Sequence, residues 1–535
     1  MYNNEHYRFG SAAWADEYAI AQAGLFSGRG PQVGYFGQRP LHLEGDAPMI
    51  TIGGAGSGKL RDLLAYVVCK SPGQSMLVLD PRGELGAISM HNHARHGERA
   101  YFWNPMGLCG LPQHSCNPLD ILKAESPTFH ADCKFITEGI IALSGSANGD
   151  YFELRARDWT ENIKKARVEQ KGGTSFPDLY RLINTIEGDP SAWANFLEVM
   201  LISRFESVRR TAAEMLTKQQ DVPKEFGAIM GEIYAHFSFL SDPVLLDALQ
   251  NPDVSLEAVS HPDRVCKMFL NVPAEYLGIL SSLIRTFFTV KMLYKSRHPE
   301  RRRVLLLVDE AGQMGRFEAL LRAFTFGRGA GIRAWAIFQD TGQIVRNFGS
   351  AALQGFLGSA QHRQFFGVRD YETALLVSRM LGDETLHYDD PLQQEAARLR
   401  KWETVKRIAG GADPFVSAYD YAHFERGAAH RAKQARPLMT PDEILAMPED
   451  RQILFISGLN LPPVYAAKYP YFTRREMAGY YLPNPYHPPA DSVPVATRLG
   501  RKRARVITEP VPRKLAGFPQ YQSGLWSYVQ GYKPL

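Results

Sequence analysis

The stretch TIGGAGSGKLRD, residues 51–62, sets Gly53, Gly58 and Lys59 at the spacing of a loop that wraps phosphate. Glycines let successive backbone N–H groups point at phosphate oxygens, the start of the following helix adds its positive dipole end, and a lysine supplies a mobile cation. The candidate nucleotide-binding residues are therefore Gly53, Gly54, Ala55, Gly56, Ser57, Gly58, Lys59 and Leu60. Leu60 departs from the pattern, which expects a hydroxyl there as one Mg²⁺ ligand. Far downstream, RRVLLLVDEAG is an apolar run ending in Asp309 and Glu310. The aspartate suits the shell of a Mg²⁺ ion and the glutamate suits orientation or deprotonation of an attacking water. The next run, IRAWAIFQD, ends at Gln339, where it could sense a terminal phosphate. Arg328, in the glycine-flanked turn FGRGAG, suits a charge offered to a neighbour's site, although both groups would also serve as ordinary surface residues. Together these residues describe a phosphate-loop ATPase that uses ATP and Mg²⁺.

Such chemistry requires a sheet to hold the loop and the two carboxylates at one edge. APMITIGG reads as a strand running into the glycines, and GKLRDLLAYVVCK as a helix with Leu60, Leu63, Leu64, Val67 and Val68 at helical spacing. SMLVLDPRGEL and ERAYFWNP follow as strands, the beginning of a parallel α/β sheet. From about residue 126 to 258 the pattern turns helical, with little β-branched signal, and predicts an all-helical insertion. Strands resume at VCKMFLNVP, RVLLLVDEAG, IRAWAIFQD and HRQFFGVRD, so the sheet is completed from both sides of the insertion.

The chain has 535 residues, 45% of them hydrophobic and 22% charged, an ordinary balance for globular domains with a sizeable core. No run of about 18 uncharged apolar residues occurs and the first residues lack the order of a signal peptide, which places the chain in the cytosol. Five cysteines at irregular spacing fit reduced thiols better than a disulfide framework. Cys109, His114 and Cys116 lack a second pair at finger-like spacing, and His91, His93 and His96 read as a solvated helix end. The formal charge of +5 is concentrated after residue 490, where eight Lys/Arg face only Asp491 and Glu509. That tail suits a polyanion or an acidic partner, or is simply solvated. Before it, YLPNPYHPPADSVP reads as extended linker. The aromatic stretches YPYF and EMAGYYLPNPY could stack on bases or pack the closing strand and brace that linker.

With these residues in view, the chain resembles the type IV secretion coupling proteins, the TraG/TraD group of conjugation ATPases, over about residues 8 to 483. FGSAAWADEYAIAQAGLF is similar to the family's opening segment, VLDPRGEL to its stretch after the second strand, and NPMG with NPLDIL to its paired asparagine-proline turns. YFELRARDW, LLLVDEAGQMGRFEAL with GRGAGIRAWAIFQDTGQI, and RPLMTPDEILAMPEDRQILF with YPYF follow in the family's order. The resemblance implies a RecA-like nucleotide-binding domain interrupted by an all-helical domain. The expected divisions are 1–125 and 259–483 for its two halves, 126–258 for the insertion, and 484–535 for linker and basic tail. It implies Lys59 on the phosphates, Asp309 on Mg²⁺, Glu310 on water, Gln339 as sensor and Arg328 facing a neighbour in a homo-hexameric ring.

The implied partners are single-stranded DNA, a relaxase or effector proteins, and the secretion channel, with the chain held at the cytosolic face of the inner membrane through partners. The usual two membrane helices are absent, as in shorter members. Water can replace the missing hydroxyl ligand while Asp309 holds the ion, so Leu60 predicts weakened Mg²⁺ affinity and a slow pump. Two other functions fit the residues less well: a receptor that binds nucleotide without hydrolysing it, and a DNA-pumping ATPase unrelated to secretion.

Overall fold

The computed structural model describes residues 9–143, 149–389, 391–411, 413, 419–422, 431–485, 491–518 and 521–534. Its strands are β1 (Gln32–Phe36), β2 (Arg39–His42), β3 (Met49–Gly53), β4 (Ser75–Pro81), β5 (Arg99–Trp103), β6 (Cys266–Val272), β7 (Val304–Val308) and β8 (Ile332–Phe338). They continue with β9 (His362–Phe366), β10 (Asp383–Asp389), β11 (Arg431–Pro437), β12 (Arg451–Ile456), β13 (Val464–Ala467), β14 (Ser492–Thr497), β15 (Gly500–Pro510) and β16 (Leu525–Val529).

Eleven strands form one sheet in the order β2-β1-β13-β12-β9-β3-β8-β7-β4-β6-β5. The run from β9 to β5 is parallel throughout, whereas β12 joins β9 antiparallel and β1 pairs β2 and β13 antiparallel. Every residue of β3, β4, β6, β7 and β8 is buried, as a parallel sheet covered on both faces requires. This explains why these strands read in the sequence as continuous apolar runs. The register aligns Ile52 of β3 with Phe338 of β8, and Val308 of β7 with Ala336. The phosphate loop, Asp309 and Gln339 therefore leave the sheet at the same carboxyl edge, where open α/β sheets bind ligands.

Between β5 and β6 the described residues contain helices and no strand. Phe129–Ile140, Gly149–Lys171, Phe176–Gly188, Pro190–Leu201, Glu206–Asp221 and Pro223–Phe237 are the long ones. Ser175 and Asp189 cap two of them, each ahead of a proline in the first turn. Arg285, buried on the helix Ser281–Arg297, donates to the carbonyls of Gly139, Ile140 and Met314. It thereby ties the end of the first helix to the turn that follows the β7 carboxylates.

Two features differ from the sequence expectation. Residues 9–16, 368–447 and 462–464 cluster as a compact unit of their own, rather than as part of one 259–483 half. Within it β10 pairs with β11, Ser11 bridges to Glu384 of β10, and a Thr440/Glu443 capping box starts the helix Pro441–Leu445. The basic segment after residue 490 is also folded: β14, β15 and β16 form an antiparallel sheet. Arg501, Lys502, Arg503 and Arg505 are exposed, while Ala504, Val495 and Val529 are buried and pack with Phe472. Leu515, Tyr521 and Trp526 cluster on Leu482. The charge pattern masked a strand whose inward positions carry the packing. Part of the proline-dense stretch, 486–490, lies outside the described residues.

Candidate active site

The loop after β3 is shaped by glycine where no other residue fits. Gly56 and Gly58 have φ of 71° and 82°, and a Cβ on Gly58 would lie 2.4 Å from Asp62 Oδ2. The following helix opens with a wider π turn, Leu60–Leu64, before continuing as α-helix Ala65–Lys70, where the sequence predicted α-helix throughout. Ser57 Oγ is buried with no hydrogen-bond partner, an orphaned donor inside the loop that fits a phosphate oxygen.

Lys59 is nearly buried; its Nζ lies 3.0 Å from Glu310 Oε1 and donates to the carbonyl of Gly53 at 3.3 Å. Gln339 Nε2 donates to Glu310 Oε2 at 2.9 Å, and Gln343 Oε1 in turn accepts from the Gln339 backbone N–H. Glu310 stands in the left-handed region, φ 54° and ψ 42°, a conformation that costs a non-glycine residue about 1 kcal/mol or more. Asp309 is buried beside it and accepts from the Glu310 N–H at 3.0 Å. Burial and the neighbouring Glu310 charge push the Asp309 carboxyl up to about 7. The buried carboxylate of Asp309 is a hard oxygen donor suited to Mg²⁺, whereas Leu60 brings no side-chain oxygen to the site. These groups share a cavity of about 390 Å³ with Gly56, Ser57, Gly58, Leu60, Arg82 and Glu84.

Arg328 is elsewhere. It precedes β8 at the amino edge of the sheet, exposed, with Nε 2.9 Å from Asp46 Oδ1. A seven-residue strand separates it from Gln339, roughly 23 Å at the usual rise. Arg328 thus does not reach the pocket of its own chain.

Two groups, Lys468 and Asp80, were not singled out in the sequence, and a third, His93, sits elsewhere than expected. Lys468, after β13, is buried; its Nζ donates to the Ser57 carbonyl at 2.7 Å and pairs with Asp62 at 2.9 Å, holding the loop from behind. A lone lysine in the otherwise apolar VYAAKYPYF was the available signal. Asp80 ends β4 and accepts from the N–H groups of Leu85 and Gly86 and from Asn271 Nδ2. Burial raises it to about 7, against those N–H bonds and with the charges of Glu84 and Asp309. His93 is no solvated helix end: it is buried against Ser89 and Glu98, and Lys267 pairs with the same carboxylate. Of the aromatic stretches, Tyr471 and Tyr481 are buried edge to face against each other, which is packing. Among the described residues no three His, Cys, Asp or Glu side chains converge as a group that could hold a metal ion.

The sequence model of the family described as type IV secretory system conjugative DNA transfer matches residues 6–400 and 421–490. The chain belongs to this family. It is 24% identical to the conjugal transfer protein TraG of Agrobacterium fabrum over 455 residues, covering 83% of this chain and 63% of TraG. It is 22% identical to the type IV secretion system-coupling protein VirD4 of Bartonella quintana over 462 residues, covering 83% and 66%. The chain thus spans somewhat under two thirds of the length of these relatives. Among solved structures, the plasmid coupling protein TrwB with the ATP analogue ADPNP has a TM-score of 0.58 at 15% identity, covering 86% of this chain and 94% of TrwB. TrwB with ADP and Mg²⁺ gives 0.56 over the same shares. The fold of this family member is accordingly the α/β, RecA-like one, with the helices between β5 and β6 inserted in it. No described helix is long and apolar enough to cross a membrane.

Proposed function

We propose that the chain is the motor portion of a type IV secretion coupling ATPase, which hydrolyses ATP with Mg²⁺ to move single-stranded DNA with its relaxase, or an effector protein, into a secretion channel. The observation that carries this reading is the meeting of Lys59, Glu310 and Gln339 over one glycine loop, in a member of the conjugative DNA transfer family. Lys59 and the loop N–H groups bind the phosphates, Gln339 orients the Glu310 carboxylate, and Glu310 accepts a proton from the attacking water. Asp309 would hold Mg²⁺, which when bound neutralises charge on the phosphates. TraG and VirD4 supply the conjugation and secretion context, and TrwB with ADPNP or with ADP and Mg²⁺ the nucleotide and ion.

A homo-hexameric ring would place Arg328 against a neighbour's pocket, and partners at the cytosolic face of the inner membrane would receive the chain. Leu60 favours a second reading, a receptor that binds nucleotide without turnover. The deciding experiment is steady-state ATP hydrolysis with and without single-stranded DNA, beside Lys59→Ala, Glu310→Gln and Leu60→Thr. Turnover lost in the first two and raised in the third supports the motor. Nucleotide binding without turnover, unimproved by Leu60→Thr, replaces it with the receptor.

A further inference from the structure

The folded segment after residue 490 lies beyond the range that matches the family, and it builds a wall beside the phosphate loop. A cavity of about 530 Å³ opens there, within the usual size range of small-molecule sites. Gly56 and Leu60 of the loop line one side, Phe472 and Tyr481 another, and Ser527 to Val529 of β16 close it with Val493 of β14. Gly56, Leu60, Arg82 and Glu84 line this cavity and the phosphate cavity alike, so the two are neighbours across four shared residues.

We propose that this second cavity receives the nucleoside of the nucleotide whose phosphates the loop holds, with β14 and β16 forming part of the base site. The inference rests on the phosphate-site reading above and names what that reading leaves open, the source of nucleoside recognition. A glycine loop and lysine bind phosphate without regard to what is attached to it. The adjoining walls are what a base requires: aliphatic and aromatic surface from Leu60, Val493, Val529, Phe472 and Tyr528.

The shared residues supply polar groups where a ribose would bridge the two cavities. Glu84 is buried and accepts from Asn484 Nδ2 at 2.6 Å and from Arg82 Nη1 at 3.4 Å. A buried carboxylate on the wall that the two cavities share suits hydroxyl donors such as those of a ribose. The far wall is held in place: the Tyr528 hydroxyl donates to Glu509 Oε2 at 3.2 Å, and the Tyr481 hydroxyl donates to the Tyr532 carbonyl at 3.0 Å. On this reading Leu60, which gives nothing to a Mg²⁺ shell, extends the apolar wall of the nucleoside site.

The test is isothermal titration of the whole 535-residue chain with ADP and with inorganic pyrophosphate, for the wild type, Tyr528→Ala and Val493→Trp, with thermal melts as the folding control. The first variant removes wall and the second fills the cavity, so the two do not share one route to misfolding. The expected result is tighter binding of ADP than of pyrophosphate by the wild type, and a loss of about tenfold in ADP affinity in each variant with pyrophosphate unchanged. Equal wild-type affinity for the two ligands, or variants that lower both alike or neither, overturns the nucleoside site and leaves the phosphate site standing. Pyrophosphate binding that survives Lys59→Ala, or no binding of either ligand, overturns the phosphate reading and this one with it.

Discussion

Lys59 Nζ and Glu310 Oε1 stand 3.0 Å apart at the carboxyl edge of the sheet, so the cation suited to the phosphates is paired with the carboxylate suited to the water. Each holds the other in the cavity, and Gln339 holds the second Glu310 oxygen. For the lysine to meet a phosphate it must leave this pair, and Glu310 is then restrained by Gln339 and its own left-handed backbone. On the proposed function, substrate binding and readiness of the base would be coupled through this one contact.

Replacing Glu310 by Gln removes the negative partner while keeping the shape. ATP turnover should fall by at least about 100-fold, the usual loss of a general base. ADP affinity should not fall and should rise a few-fold, because Lys59 no longer leaves an ion pair to bind. Titration of ADP beside a turnover assay checks both halves, and weakened ADP binding would count against the coupling.

Lys468 holds the loop by the Ser57 carbonyl and pairs with the buried Asp62, which also meets Arg61 at 2.5 Å. Lys468→Met should cost about 3 kcal/mol in urea unfolding, the lower end for breaking a buried pair, since Arg61 remains. Adding Asp62→Leu should recover most of that stability but not the lost ADP affinity, because the carbonyl tether is still absent. Recovery of both would make Lys468 a matter of stability only.

The parallel sheet and the place of Asp309, Glu310 and Gln339 at its edge were legible because burial on both faces turns strands into unbroken apolar runs, and these polar residues punctuate their ends. The segment after residue 490 was not. In β15 the outward positions carry Arg501, Arg503 and Arg505, and charge outweighed the inward Ala504 and the aromatic residues of β16 in the reading. His93 was misjudged for a related reason: its partner Glu98 is near in sequence, but Lys267 arrives from a distant strand. Lys468 acts on Ser57 across more than 400 residues, a relationship that spacing cannot reveal. The unit formed by β10 and β11 was hidden because its pairing closes on itself.

His362 on β9 is fully buried, and burial with the nearby Arg333 charge pushes its pKa down to about 3. The folded chain keeps the ring neutral, while the unfolded chain takes a proton below the ordinary value of about 6.5. Below that pH the unfolded state binds more protons, so stability falls as pH falls from about 6.5 toward 3, by about 2 kcal/mol at pH 5. Urea unfolding at pH 7 and pH 5 should register this loss, and His362→Gln should flatten it. An equal pH slope in the variant would assign the acid sensitivity to other groups.

Arg328 sits at the amino edge of β8, paired with Asp46, while the pocket lies at the carboxyl edge. If the ring is correct, an arginine from one subunit completes the site of the next. Arg328→Ala should then leave ADP affinity unchanged and lower turnover by about 1,000-fold, the scale of an arginine supplied in trans. Mixing provides the stricter check. An Arg328→Ala subunit keeps Lys59 and Glu310 intact, and a Lys59→Ala subunit keeps Arg328, so equimolar mixtures of two inactive variants should regain part of the wild-type rate. The regain should appear only at concentrations where assemblies form. Mixtures as inactive as their components, under conditions where they co-assemble, would show that Arg328 does not serve a neighbour's site and that its pairing with Asp46 is its whole role.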